Sequence, residues 1–320
     1  MSQLQRFLFD GLPVRGAIVR LTDAWTEVLR RRAANTETGA YAPPVASLLG
    51  EMLAAGVLMH AHVKFDGALI LQIAGDGPVR MAVAQVRSDL GVRATASVGA
   101  EVPEGAQLAE LVNRDGKGRC AITLDPQSRG PARQPYQGIV ALTDDAGRAQ
   151  PTLAQALQGY MHRSEQLETT LVLAADGAVA AGLLVQRMPR QGAGNPGGAG
   201  DADEDYQRIA TLAASLTREE LLALEPSAVL QRLFWQEKLL VFAPRHGADG
   251  PQFACTCSRE RVAGMLRALG QHEVQDILRE RGNVEVGCEY CGQQYRFDAV
   301  DAAHLFTSAS SQPPAPSGVQ

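Results

Sequence analysis

Four of the five cysteines in this chain fall in two tight pairs, Cys255-Thr256-Cys257 and Cys288-Glu289-Tyr290-Cys291, with thirty residues between them. A tetrahedral zinc ion takes four soft ligands, and two close pairs on separate turns supply them. The two-residue gap of the second pair lets both sulfurs face one ion, and Gly292 just behind it permits a tight turn. A one-residue gap is less usual for zinc. Alternate positions of an extended strand share one face, and a bend can also aim two sulfurs at one point. The plainer reading, two buried thiol pairs without metal, is weakened by the clustering itself. The spacing predicts one zinc per chain on Cys255, Cys257, Cys288 and Cys291.

Zinc holds cysteine as thiolate, which is also the nucleophilic and oxidisable form. Oxidation to sulfenic acid and then disulfide removes the ligands. Neighbouring cysteines favour pairing within each tight pair, Cys255 with Cys257 and Cys288 with Cys291. Zinc in small peptide sites is worth on the order of 10–16 kcal/mol apparent, whereas a small domain has only a few kcal/mol of its own. Loss of the ion is therefore expected to unfold the C-terminal unit, a two-state element biased by redox potential.

The elements around the cysteines read as a small domain over 245–306. Ser258 is placed to cap a helix carrying Val262, Met265, Leu266 and Leu269; a second helix carries Val274, Ile277 and Leu278. Val284–Val286 and Tyr295–Phe297 read as strands entering and leaving the second pair. So small a core needs a staple. Upstream, residues 190–244 read as a linker. A Gly/Pro-rich connector from Arg190 to Gly200 leads into a helix through Ile209, Leu212 and Leu216. Thr217-Arg218-Glu219-Glu220 is a capping box, and Val229, Leu230, Leu233 and Phe234 mark a third short helix. Such helices are marginal alone and must lean on a neighbour. Residues 307–320, rich in Ser and Pro, read as a disordered tail.

Residues 1–189 read as one α+β domain with an antiparallel-dominated sheet. Strands are expected at Val14–Leu21, near Ala94–Val98, Arg119–Leu124 and Gln137–Leu142, and at Thr169–Ala174 and Ala180–Met188. Thr22 or Asp23 is expected to cap a helix to Arg32, Pro43-Pro44 to open a second with an apolar stripe, and Thr152 to cap a third. Asp66-Gly67 predicts a hairpin between Val63–Phe65 and Ala68–Leu71, and Gly75-Asp76-Gly77-Pro78 a second turn before Val79. Cys120, alone in an apolar run, reads as a buried structural thiol. His162, Ser164 and Glu165 are adjacent rather than spaced to converge, so no triad is read there, and the remaining histidines show no metal spacing. With no catalytic constellation, the chain is expected not to be an enzyme.

Net charge is −5, which argues against a nucleic-acid partner. From Pro251 to Phe306 six arginines and no lysine stand against eight carboxylates, so a constitutive nucleic-acid-binding zinc ribbon is disfavoured. A thiol–disulfide oxidoreductase using Cys288 and Cys291 would open a helix after a strand; here Gly292 and a strand follow, which suits a metal knuckle. The N-terminal sequence has no apolar signal region and no run of about eighteen apolar residues is present. No membrane partner is therefore expected. Clustered cysteines without an export signal read as metal or redox chemistry in the cytoplasm.

The Cys-x-Cys and Cys-x-x-Cys signature resembles that of the redox-regulated thirty-three-kilodalton heat-shock chaperone family. The resemblance runs through Phe253–Arg261 and Cys288–Gly292. It also covers Lys64-Phe65-Asp66-Gly67, Gly75–Pro78, Tyr136-Gln137-Gly138 and Arg163-Ser164-Glu165-Gln166-Leu167, spanning about residues 4 to 306. It implies an ATP-independent holdase, off when reduced and zinc-bound, on when oxidised. In that family the metal site covers a metastable linker; oxidation with unfolding stress frees it, and the activated protein dimerises and binds unfolding client proteins. Carried over, the ligands and redox pairs are Cys255, Cys257, Cys288 and Cys291, and the linker is roughly 190–240. The chain departs from the family in its Gly/Pro-rich insert around Gln191–Gly200, in its longer tail, and between Arg93 and Arg133.

Overall fold

The computed structural model describes residues 1–35, 38–128, 134–188 and 199–306, with backbone alone for 199–202. Most of the connector expected at 190–200, and the tail from 307, lie outside the described residues. The chain divides into two compact units, Met1–Cys255 and Thr256–Gln320.

The first unit runs β1 (Gln3–Phe9), β2 (Val14–Leu21), α1 (Asp23–Ala33), α2 (Pro43–His62), β3 (Gly67–Ala74), β4 (Val79–Arg87), β5 (Gly91–Val98), α3 (Leu108–Val112), β6 (Arg119–Pro126) and β7 (Tyr136–Ala141). It continues with α4 (Leu153–Glu165), β8 (Thr169–Ala175), β9 (Ala180–Arg187), α5 (Ala199–Ala214), α6 (Arg218–Ala223), α7 (Pro226–Phe234), β10 (Leu239–Val241), β11 (Arg245–His246) and β12 (Gln252–Phe253). These strands make two six-stranded sheets. One has the order β10-β1-β2-β9-β8 with β11 also on β1, the other β12-β5-β4-β3-β6-β7. Every pairing is antiparallel except the short parallel step of β12 on β5. The α+β class holds, with two sheets where the sequence suggested one.

Strand period explains the layering. In β2, Ala17, Val19 and Leu21 join the main core with α2, whereas Val14 and Ile18 point the other way. The β9 strand splits likewise: Ala180 and Leu184 face the main core, and Ala181, Leu183 and Val185 the opposite side. That opposite side is covered by α5–α7 through Tyr206, Ile209, Leu221, Val229, Leu233 and Phe234. Because β2 and β9 are buried on both faces, their sequences show no clean alternation.

The α2 helix packs against strands of both sheets. The single apolar stripe expected of it is therefore replaced by burial nearly all round, including Ala46, Ala54 and Gly56 between the stripe positions. By length and composition α2 could cross a membrane, with mean hydropathy 1.4, although its sequence is not an unbroken apolar run; 78% of that window is buried inside the protein, so it is a core helix. The hairpin expected at Asp66-Gly67 does not form. The α2 helix runs to His62, Val63–Phe65 is a connection, and β3 pairs with β4 and β6. The turn at 75–78 does join β3 to β4. Thr22 occupies the cap position of α1, but its hydroxyl donates to Asp23 and caps no helix amide. Ser2 Oγ accepts instead from the Thr22 and Ala24 amides, at 2.9 and 3.1 Å.

The second unit holds α8 (Arg259–Leu269), α9 (Gln271–Arg281), β13 (Val284–Gly287), β14 (Gln294–Phe297) and α10 (Ala299–Phe306). Ser258 caps α8, its hydroxyl accepting from the Arg261 amide. The buried core is small: Ala263, Leu266, Val274, Val284, Phe297 and Ala302. Met265 and Leu269, expected on the buried face of α8, are half exposed. Arg259 adds a polar clasp, stacking 4.2 Å over the Phe297 ring while donating to the Arg296 carbonyl and to Asp301.

Candidate metal centre

Each cysteine pair sits where the backbone aims it. Cys257 directly precedes Ser258, the cap of the eleven-residue α8. Cys288 and Cys291 occupy the loop of the β13–β14 hairpin. That loop closes with the Gly292 amide on the Cys288 carbonyl at 2.8 Å and the Cys288 amide on the Gln293 carbonyl at 2.9 Å. Gly292 has φ of +72°, the left-handed conformation that glycine adopts without steric cost. Cys255 follows β12 and is the last residue of the first unit.

The four sulfurs all lie within 4.8 Å of one another. Cys257 Sγ and Cys291 Sγ are 3.3 Å apart, far beyond a covalent S–S bond of about 2.05 Å, and none of the five cysteines is in a disulfide. Four sulfurs at the usual zinc distance of about 2.3 Å stand about 3.8 Å apart at tetrahedral corners, so donor type, number and spacing suit zinc. Cys291 is buried, and Cys255, Cys257 and Cys288 are partly accessible, open enough for a small oxidant. The Tyr295 hydroxyl is hydrogen-bonded to Cys257, and Arg93 Nη1 lies 3.7 Å from Cys255 Sγ. The Cys257 bond, with the charges of Cys291 and Cys288, pushes the Tyr295 hydroxyl above the ordinary phenol value.

The other candidates are dispersed. Cys120 is fully buried in β6 with its thiol pushed up to about 12 by burial, as expected of a structural thiol. His162 pairs with Glu168, while Glu165 accepts from the hydroxyls of Tyr136 and Tyr160, so no triad exists at 162–165. One histidine does join a potential metal group against expectation. His272 lies with Glu273 and Asp276 on the exposed face of α9, already 2.9 Å from an Asp276 oxygen. The contact of Arg93 with Cys255 had no signal in the sequence, because it depends on β12 pairing with β5 across more than 150 residues.

The chain matches the Hsp33 protein family over residues 2–298. The 33 kDa chaperonin of Chromobacterium violaceum is 46% identical over 305 residues, covering 95% of this chain and 94% of that protein. The proteins of the same name from Methylobacillus flagellatus and Shewanella oneidensis are 40% and 39% identical, over 98% and 96% of this chain and 97% and 96% of theirs. The crystal structure of the heat shock protein 33 homologue of Thermotoga maritima superposes with a TM-score of 0.72 at 22% identity, covering 95% of this chain and 98% of that one. With four convergent thiols near its C-terminal end and this fold beneath them, the chain belongs to the Hsp33 family.

Proposed function

We propose that this protein is a redox-regulated, ATP-independent holdase that binds unfolding proteins under oxidative stress in the cytoplasm. The observation that carries the reading is the convergence of four cysteine sulfurs within 4.8 Å in a member of the Hsp33 family. The name shared by the relatives, 33 kDa chaperonin, supports the chaperone half. A bound zinc ion holds Cys255, Cys257, Cys288 and Cys291 as thiolates and ties the start of α8 to the β13–β14 loop. In this state the protein is inactive.

Activation is oxidation of the sulfurs in two pairs, Cys255 with Cys257 and Cys288 with Cys291. Each thiolate pair gives two electrons to one peroxide, which takes up two protons from solvent and becomes two waters; one S–S bond forms as that pair's two Zn–S bonds break, and when both pairs are oxidised the Zn²⁺ ion leaves. The second unit then rests on its six-residue buried core, too little to hold it folded. The α5–α7 helices are the second yielding element, with 16, 6 and 9 residues that depend on packing for their stability. Where they lift from the sheet, Phe7, Phe9, Ile18, Leu183 and Val185 present an apolar face to clients, and two activated copies associate.

The test is peroxide with mild heat on the full-length reduced protein. One zinc per chain is expected to appear on a chromogenic chelator, followed by suppression of client light scattering. A variant with all four cysteines changed to serine that matches the parent in both redox states refutes the switch.

A further inference from the structure

The residue that supplies the first sulfur is delivered by the core sheet. The β12 strand joins β5 through the Gln252 amide on the Leu90 carbonyl and the Ala254 amide on the Val92 carbonyl, at 3.2 and 3.0 Å. Gly91 permits this approach, since a Cβ there would stand 2.9 Å from the Ala254 Cβ. Arg31 stacks 4.5 Å over the Phe253 ring and holds the other side of the strand. With Phe253 paired to Val92 and the Ala254 amide bonded to the Val92 carbonyl, Cys255, two residues past Phe253, comes within reach of the Arg93 side chain. The Arg93 guanidinium is itself oriented: its Nε donates at 2.8 Å to Oε1 of Gln85, its cross-strand partner on β4. That leaves Nη1 directed at the Cys255 sulfur, 3.7 Å away.

We propose that Arg93 is an outer-sphere hydrogen-bond donor to the Cys255 sulfur, a positioning residue that sets how tightly the four-thiolate site holds its metal. The inference rests on the reading of the four cysteines as a zinc site and adds a residue to it. Four thiolates around a divalent ion leave two negative charges on the sulfurs. A guanidinium is always cationic and sheds water easily, so it offsets part of that charge at close range. It also fixes the direction of the Cys255 sulfur through a sheet that does not depend on the metal. Outer partners of this kind typically change metal affinity by about 10–100-fold when removed. Gln85 acts one step further out, by aiming the guanidinium.

The experiment is zinc competition against a chromogenic chelator, using full-length reduced protein as parent, Arg93→Gln, Arg93→Lys and Gln85→Met. Arg93→Gln is expected to bind zinc about 10–100-fold more weakly. Arg93→Lys is expected to recover part of the loss, because an ammonium can reach the sulfur but cannot keep the Gln85 bond. Gln85→Met is expected to show a smaller loss than Arg93→Gln. Thermal unfolding of the metal-free forms separates this role from support of the sheet. Arg93→Gln should melt with the parent when both lack zinc. Equal zinc affinity of Arg93→Gln and parent overturns the proposal, as does a loss matched by an equivalent fall in metal-free stability. A reduced parent that binds no zinc overturns the zinc reading beneath it.

Discussion

Phe234→Ala separates the covering helices from the core they cover. The Phe234 side chain is 2% exposed at the end of α7, with its ring 5.0 Å from Phe9 in an edge-on contact and 6.0 Å from Phe7. Truncating a buried phenylalanine costs about 3–5 kcal/mol, which includes about 0.5–1.5 kcal/mol for each aromatic pair. Phe7 and Phe9 remain on β1, held by β2, so the loss falls on the equilibrium by which α5–α7 leave the sheet. At about 1.4 kcal/mol per decade, the opened population rises by roughly two to three and a half orders of magnitude. Amide hydrogen exchange read by mass spectrometry is the assay, on the reduced zinc-loaded protein. Peptides from 203–234 are expected to lose protection by that factor, while α2 peptides exchange as in the parent. Under the proposed function, client protection also appears without oxidant. If α2 and α7 accelerate together, or neither does, then α5–α7 are not a separately opening layer.

Two further predictions concern buried titrating groups. Glu51, on α2, is pushed from 4.5 up to about 7, chiefly by burial, against the opposing pull of Arg218 at 3.8 Å and of Ser47. The folded protein therefore holds this proton more tightly than the unfolded chain does. The stabilisation is complete below about pH 4.5 and is lost as pH rises toward 7. Glu51→Gln should flatten this slope and exceed the parent at pH 8 by about 3 kcal/mol in urea unfolding; an equal difference at pH 5 and pH 8 would refute the assignment. Cys120 should resist alkylation in the native, metal-stripped protein while the other four cysteines react, because its thiol is both enclosed and far from ionisation. A Cys120 adduct formed before unfolding would count against that burial.

The convergence of the four cysteines was legible because its information is local. Two cysteine spacings, a glycine behind one of them and a capping serine behind the other specify the knuckle and the start of α8. Where the sequence misled, long-range structure had overridden a local signal. Asp66-Gly67 has hairpin chemistry, yet α2 occupies the residues before it, and an apolar helix buried on all sides does not show where it ends. Ser2 replaces Thr22 as the donor-satisfying group of α1 because β1 brings the N-terminus beside it, and β1 itself was not read from the sequence. The split of β2 and β9 between two cores becomes intelligible only when both faces are known to be covered. Arg93 was unreadable for the same reason: its partner sulfur is neighbouring in the sheet and remote in the chain.

The burial of α2 on all sides bears on how the protein is made. Of its twenty residues fourteen are enclosed, some by β3–β5 and others by β8 and β9, whose first residue, Thr169, is roughly a hundred positions beyond His62. At the usual pace of translation, about 5–20 residues per second, the newborn helix waits on the order of 5–20 s for its second cover. During that interval the nascent chain bears a long greasy flank of the sort that its finished form is proposed to shield on others.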